Sequence, residues 1–207
     1  MAQALLKYQK NKAAIVLGIP RGGVIVALKT AENLELPFDL IIIRKLPSPD
    51  NPEAGMGAIS ETNEIVWQNH SRFYPPLIVS EILEEQKREI EKRIKIFRKK
   101  GKLKNLASRL KNKIAILIDD GLAMGSTMEA AVKTARKLEA KKIIVAVPVA
   151  AKEVLEKMKN LAEEVVCLET PDPFYAVSQG YEHFPAVFDE EALELIKESS
   201  FGKKYKE

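Results

Sequence analysis

The chain has one cysteine, one tryptophan and two histidines in 207 residues, and these scarcities narrow what it can be. A single thiol, Cys167, excludes an internal disulfide and a multi-thiolate metal site, and it fits a reducing compartment, the cytoplasm. Neither His70 nor His183 has a partner at a spacing that suggests a metal site or a catalytic triad, so both read as incidental. Long apolar runs are missing too. The longest are strand-sized, such as Leu40 to Ile43, where about 20 residues would be needed to span a bilayer, so no membrane is expected. Met1 to Lys7 lacks the apolar stretch of a secretory signal. There is also little excess of one charge. A net charge of +4 and a pI near 9.0 reflect a small lysine surplus, which makes a nucleic-acid partner unexpected.

What is present is an ordinary globular composition, 46% hydrophobic and 30% charged, in a chain long enough to bury one core. Short apolar runs alternate with stretches of helical spacing. Ala13 to Ile19 reads as a buried strand ending at the turn Pro20-Arg21-Gly22-Gly23, and Val24, Ala27, Leu28 and Ala31 then mark a helix. Phe38 to Arg44 reads as a second continuous strand. Ile114 to Ile118, Ile143 to Val147 and Val165 to Leu168 read as three more. The helices between them have faces at Met128, Ala131, Val132, Ala135 and Leu138, and at Val154, Leu155, Met158 and Leu161. Strands apolar on both faces belong to a parallel sheet covered by helices.

Three segments stand outside the alternation. Leu46 to Gly57 carries prolines and glycines and reads as a long surface loop, with a small hairpin after it around Thr62-Asn63. Ser80 to Lys100 has helical spacing with Gly101 as its stop. Its basic residues Lys87, Arg88, Lys92, Arg93, Lys95, Lys99 and Lys100 read as a solvated face, and about 70–105 as a helical insertion. From Glu169 the chain is aromatic and loop-like, with a last helix beginning near Asp189, so 169–207 would form a C-terminal hood on a single domain.

The chemistry concentrates in Asp119-Asp120-Gly121-Leu122-Ala123-Met124-Gly125-Ser126-Thr127. Ligands of open α/β sheets bind at the carboxyl ends of the strands, where this segment lies. A small-residue loop opening a helix can turn successive backbone N–H groups onto one anion, with the helix's positive end aimed at the same point. That half of the motif suits a phosphate. Two adjacent carboxylates would repel a phosphate, so they must face hydrogen-bond donors or a cation. A ribose 5-phosphate offers both, vicinal hydroxyls and a phosphate a few ångströms apart. The plainer reading, in which Asp120 begins a turn and Ser126 caps a helix, accounts for each residue singly but not for the combination.

Ile116 to Met128 resembles the phosphoribosyl-pyrophosphate (PRPP) motif of the type I phosphoribosyltransferases. Across nearly its full length the chain looks most like the group described only as predicted phosphoribosyltransferases. The resemblance implies an α/β type I phosphoribosyltransferase fold: a mostly parallel twisted sheet flanked by helices, with a helical insertion and a small C-terminal hood. It implies that Asp119 and Asp120 hold the ribose hydroxyls and that residues 121–127 hold the 5-phosphate. Arg21, Gly22, Gly23 and Lys45 would meet the pyrophosphate, the fork of Arg21 offering bidentate donors. Arg21, Arg44 and Lys45 would act in catalysis, and 46–57 would be a mobile lid. Mg²⁺ is the implied cofactor, with no direct protein ligand, Asp119 and Asp120 reaching it through water. Homodimers are common in the family.

Two departures matter. Met124 stands where many relatives have threonine, which removes one donor from the phosphate loop. Ala123 stands where members acting on hypoxanthine and guanine place an aspartate, which argues against that subclass and leaves adenine-type members open. The acceptor is not specified; Phe174, Tyr175 and Tyr181, with Gln179, Glu182 and Phe184, are the candidates to meet a nitrogenous ring, or simply pack the hood. Two other functions compete: a non-catalytic PRPP or nucleotide sensor on the same fold, and an unrelated phosphotransferase or hydrolase using Asp119 as nucleophile.

Overall fold

The computed structural model describes residues 1–51, 55–98 and 106–202. In chain order the strands are β1 (Ala14–Gly18), β2 (Phe38–Leu40), β3 (Ile43–Leu46), β4 (Gly57–Ser60), β5 (Ile65–Trp67), β6 (Ile114–Ile118), β7 (Lys142–Val149) and β8 (Glu164–Glu169). The helices are α1 (Gly23–Leu34), α2 (Pro76–Phe97), α3 (Leu106–Leu110), α4 (Ser126–Lys137), α5 (Lys152–Lys159) and α6 (Asp189–Glu198). Five strands form a parallel sheet in the order β2-β1-β6-β7-β8. Period-two geometry sends Ala14 and Val16 of β1 to the face covered by α1 and α6, and Ile15 and Leu17 to the face covered by α4 and α5. Both faces of β1, β6 and β7 are buried, which is why these strands are apolar without alternation.

The expected strand from Phe38 to Arg44 is in fact two strands in two sheets. β2 pairs with β1, whereas β3 pairs antiparallel with β4, and β4 with β5. The break falls at Ile41-Ile42. Ile41 N–H still bonds to Gly18 at 3.1 Å, but Ile42 N–H donates to the Glu61 carboxylate at 2.9 Å and its carbonyl accepts from Glu61 N–H. A side chain from the hairpin thus takes the place of a sheet neighbour. Apolar character alone does not reveal that change of partner. The hairpin around Thr62-Asn63 is present as β4 and β5.

The hairpin sheet leans on α4 and α2, so the proline-rich stretch after Leu46 is a β3–β4 connection rather than a free surface loop. Leu46 and Gly57 face each other in the ladder, Met56 and Ser48 are buried, and Tyr74 donates to Asp50 at 2.6 Å. Residues 52–54 of this connection, including Glu53, lie outside the described residues, as do Lys99, Lys100 and the expected stop at Gly101. Helix α2 begins at Pro76, four residues before its expected start, with proline in the first turn where no intrahelical donor is lost. At the edge of the parallel sheet, Arg98 donates to the Leu40 carbonyl at 2.9 Å and Arg109 to that of Phe38 at 3.1 Å, which occupies acceptors an open edge would leave bare.

Candidate active site

The carboxyl ends of β1 and β6 lie side by side, with Gly18 paired to Ile118. The next residues of both strands therefore meet at one point: Pro20 to Gly23 from β1, Asp119 and Asp120 from β6. Their approach is close. A β-carbon at Gly22 would lie 1.9 Å from Asp120 Oδ2, and one at Gly23 would lie 2.8 Å from the Asp119 Cα. Glycine is required here because the turn rests against the acids. The Pro20–Arg21 peptide is cis.

Asp119 accepts a hydrogen bond from the Asp120 N–H at 2.9 Å through Oδ1. Burial pushes the Asp119 carboxyl well above the ordinary carboxylate range, and the Asp120 charge adds to it, while Lys45 acts the other way. Burial likewise raises Asp120. Two carboxylates thus share a partly dehydrated spot without a protein counter-ion in hydrogen-bond contact among the described residues, which suits hydroxyl donors or a cation brought by a ligand.

Beyond them the chain turns into α4 through Gly125, whose φ of +79° is left-handed. The first-turn N–H groups at Ser126 and Thr127 have no preceding helical carbonyl to bond, which leaves them receptive to an anion. Leu122 differs from its neighbours. Its N–H donates to Val149 at 2.9 Å, its carbonyl accepts from Ala151 at 2.9 Å, and its side chain is buried. Leu122 therefore fixes the loop to β7 and offers no donor of its own to a phosphate.

These elements line one cavity of about 800 Å³. It collects Arg21, Gly22, Arg44, Lys45, Asp119, Asp120 and the whole loop 121–127, together with Tyr175, Tyr181 and Phe184. Gly23 and Phe174 do not line it: Gly23 is buried beneath Asp119, and Phe174 is half-buried in the hood. Gln179 is consumed in the hood itself, its Oε1 accepting from Tyr175 and Ala176 N–H and its Nε2 donating to Pro173. Glu182 is exposed and outside the cavity. Tyr181 has a definite role: its hydroxyl donates to the Asp120 carbonyl at 2.6 Å, and its ring packs on Phe184 with centroids 4.9 Å apart. Burial, then the two aspartate charges, pushes this phenol above its ordinary range.

Sequence reading misses three contributors. His183 lines the cavity although it has no motif. Gln86 of α2 is buried and accepts from Arg44 Nε at 3.0 Å, holding that arginine in place. Arg93 of α2, read as part of a solvated face, is only 7% exposed in its side chain, lines the cavity and pairs through Nε with Asp189 Oδ2 at 3.1 Å. The helical period could have separated Arg93 from the solvated charges, since it lies three residues after Ile90 and four before Phe97 on the buried stripe. Lys87 and Lys92, by contrast, pair with Glu84 and Glu89 on the water-facing side as expected.

The cavity thus lies at the carboxyl ends of a parallel sheet, with paired acids, a helix start and basic side chains in its lining. The chain is a member of the phosphoribosyl transferase domain family, whose model matches residues 1–183, and its fold is the type I phosphoribosyltransferase fold. In two strains of Mycobacterium tuberculosis a protein provisionally named phosphoribosyl transferase is 36% identical over 202 residues, 95% of this chain but 44% of that protein. The chain therefore spans less than half the length of these curated relatives. The crystal structure of a protein from Thermus thermophilus is similar at 34% identity, a TM-score of 0.66 and 92% coverage of both chains. Among the described residues no helix is long and apolar enough to cross a membrane.

Proposed function

We propose that this chain transfers the 5-phosphoribosyl group of PRPP to a nitrogen of an acceptor, releasing pyrophosphate. The observation that carries this reading is the acid pair, set in one cavity between the phosphate-receptive start of α4 and the basic residues Arg21, Arg44 and Lys45. A sugar fits between the two anion-seeking ends, with its hydroxyls donating to Asp119 and Asp120.

In the reaction the acceptor nitrogen bonds to the anomeric carbon as the bond from that carbon to the pyrophosphate oxygen breaks. The electron pair leaves with pyrophosphate, and the proton of the acceptor nitrogen passes to solvent. Asp119 and Asp120 anchor the ribose so that the anomeric carbon is presented to the acceptor. The N–H groups of the loop 121–127, except that of Leu122, hold the 5-phosphate. Arg21, Arg44 and Lys45 meet the charge that grows on the leaving group. Gly55 of the β3–β4 connection lies beside Lys45, and a lid there would exclude water as a competing acceptor.

Magnesium fits the donor set in one way only. No group of three or more His, Cys, Asp or Glu side chains that could cage a metal exists among the described residues. Asp119 and Asp120, whose carboxyls burial raises above their ordinary range, would hold the cation through water. When bound it neutralises diphosphate oxygens.

The acceptor would lie against Tyr175, Tyr181 and Phe184. Ala123 supports an acceptor other than hypoxanthine or guanine. The test is calorimetric titration with PRPP and Mg²⁺, followed by a screen of nitrogenous bases for pyrophosphate release. Binding that Asp119→Asn with Asp120→Asn abolishes, together with turnover on at least one base, is the expected result. Absence of PRPP binding sinks the proposal, and tight binding with no turnover favours a sensor.

A further inference from the structure

Arg93 presents a problem of charge. It is 6% exposed, and its guanidinium has five N–H donors, of which only Nε–H is bonded, to Asp189. No protein acceptor bonds to its two terminal nitrogens among the described residues, and the side chain lines the cavity. Burial and the positive charges of Arg44 and Arg21 both press on it. Arg44 is likewise held only through Nε, by the neutral Gln86, and Arg21 lies with its guanidinium 5.9 Å from the Phe188 ring centre. Arg21, Arg44 and Arg93 thus come from β1's following turn, β3 and α2, and among the described residues Asp189 is the only carboxylate bonded to any of them. Three guanidinium groups lining one cavity, with one carboxylate bonded among them, favour an anionic ligand there.

This group comes from different elements than the backbone cradle at 121–127, within the same cavity. The two anion-receptive places differ in kind: one offers N–H groups for a single phosphate, the other several forked cations for a more highly charged group. We infer that Arg93 is a pyrophosphate-binding residue, its free fork reaching the leaving diphosphate beside Arg44 and Arg21. Asp189 then acts as a positioning residue, fixing Nε so that the terminal nitrogens point into the cavity. This rests on the transferase reading for the identity of the ligand, although the anion site itself can be tested without any transfer.

The experiment measures binding of inorganic pyrophosphate with Mg²⁺, and separately of ribose 5-phosphate, to the full chain and to Arg93→Gln, Arg93→Lys and the pair Arg93→Gln with Asp189→Asn. The paired variant guards against misfolding, since it removes both charges at once. The expected result is a loss of pyrophosphate affinity of about tenfold or more in both glutamine variants. A smaller loss is expected in Arg93→Lys, which keeps the charge and lacks the fork, with ribose 5-phosphate binding unchanged throughout. Unchanged pyrophosphate affinity overturns the inference. So does an equal loss for both ligands in the folded paired variant, which would make Arg93 merely structural. Pyrophosphate binding that depends on Arg93 in a chain that transfers nothing would uphold this inference while the transferase reading falls.

Discussion

The floor of the cavity comes from nine consecutive residues, Asp119 to Thr127, while its roof gathers Arg44 from β3, Arg93 from α2 and Tyr181 from the hood, with Gln86 and Asp189 behind the two arginines. The floor is stiff because it is an extension of the sheet: β6 leads into the acids, and Leu122 is bonded to the end of β7. The roof is held by single hydrogen bonds between side chains and by the packing of α2 on β3 and α6. Under the proposed function such a site would divide labour, the fixed half gripping the sugar phosphate and the assembled half deciding what else enters.

The largest effect should come from breaking the floor. Asp119→Asn with Asp120→Asn is expected to lower kcat/KM for PRPP by about a thousandfold or more, measured as pyrophosphate release. Next comes the seam between the β1 turn and the acids. Gly22→Ala would displace the Asp120 carboxylate rather than backbone, so the fold should survive while activity falls about a hundredfold. Comparing kinetics with melting temperature in Gly22→Ala and Gly23→Ala sharpens the point, since the second drives a methyl group onto the Asp119 backbone and should cost stability as well.

A smaller effect runs in the opposite direction. The raised carboxyl of Asp119 means that the ligand-free fold holds its proton more tightly than the unfolded chain does. Its ionised form therefore costs stability, and that cost grows as pH rises from the ordinary carboxylate range through the folded value. Asp119→Asn should stabilise the ligand-free chain by about 1 kcal/mol at neutral pH, with the gain shrinking on acidification, as read by urea denaturation across that range. If the gain is independent of pH, the charge argument fails. The smallest effect belongs to the roof: Tyr181→Phe removes the donor to the Asp120 carbonyl and should cost about 0.5 kcal/mol of stability. Its kinetic signature should be a higher KM for the acceptor with that for PRPP little changed, which separates the two halves of the site.

The same division explains what can be read in advance. The floor is legible because its chemistry is local: strand, acids, small residues and hydroxyls follow one another in a fixed order. The parallel strands and their helices are legible from apolar runs and spacing. The change of sheet at Ile41-Ile42 is not, because it depends on the Glu61 side chain capturing a backbone N–H from the other sheet. Arg93 reads with its charged neighbours because composition outweighs its place on the buried stripe, and its partner Asp189 lies 96 residues away. The expected hood residues divide the same way. Tyr181 reaches the site through its contact with Asp120, whereas Gln179 turns inward to close its own turn.

The tie between Leu122 and β7 has a consequence for how a ligand is received. With both backbone groups of Leu122 satisfied by Val149 and Ala151, the loop holds its shape before anything binds. Under the proposed function, a 5-phosphate would meet a loop already tied in place. Little conformational entropy is lost from the loop on docking, and the ordering that remains falls on the ligand and on the side chains above it.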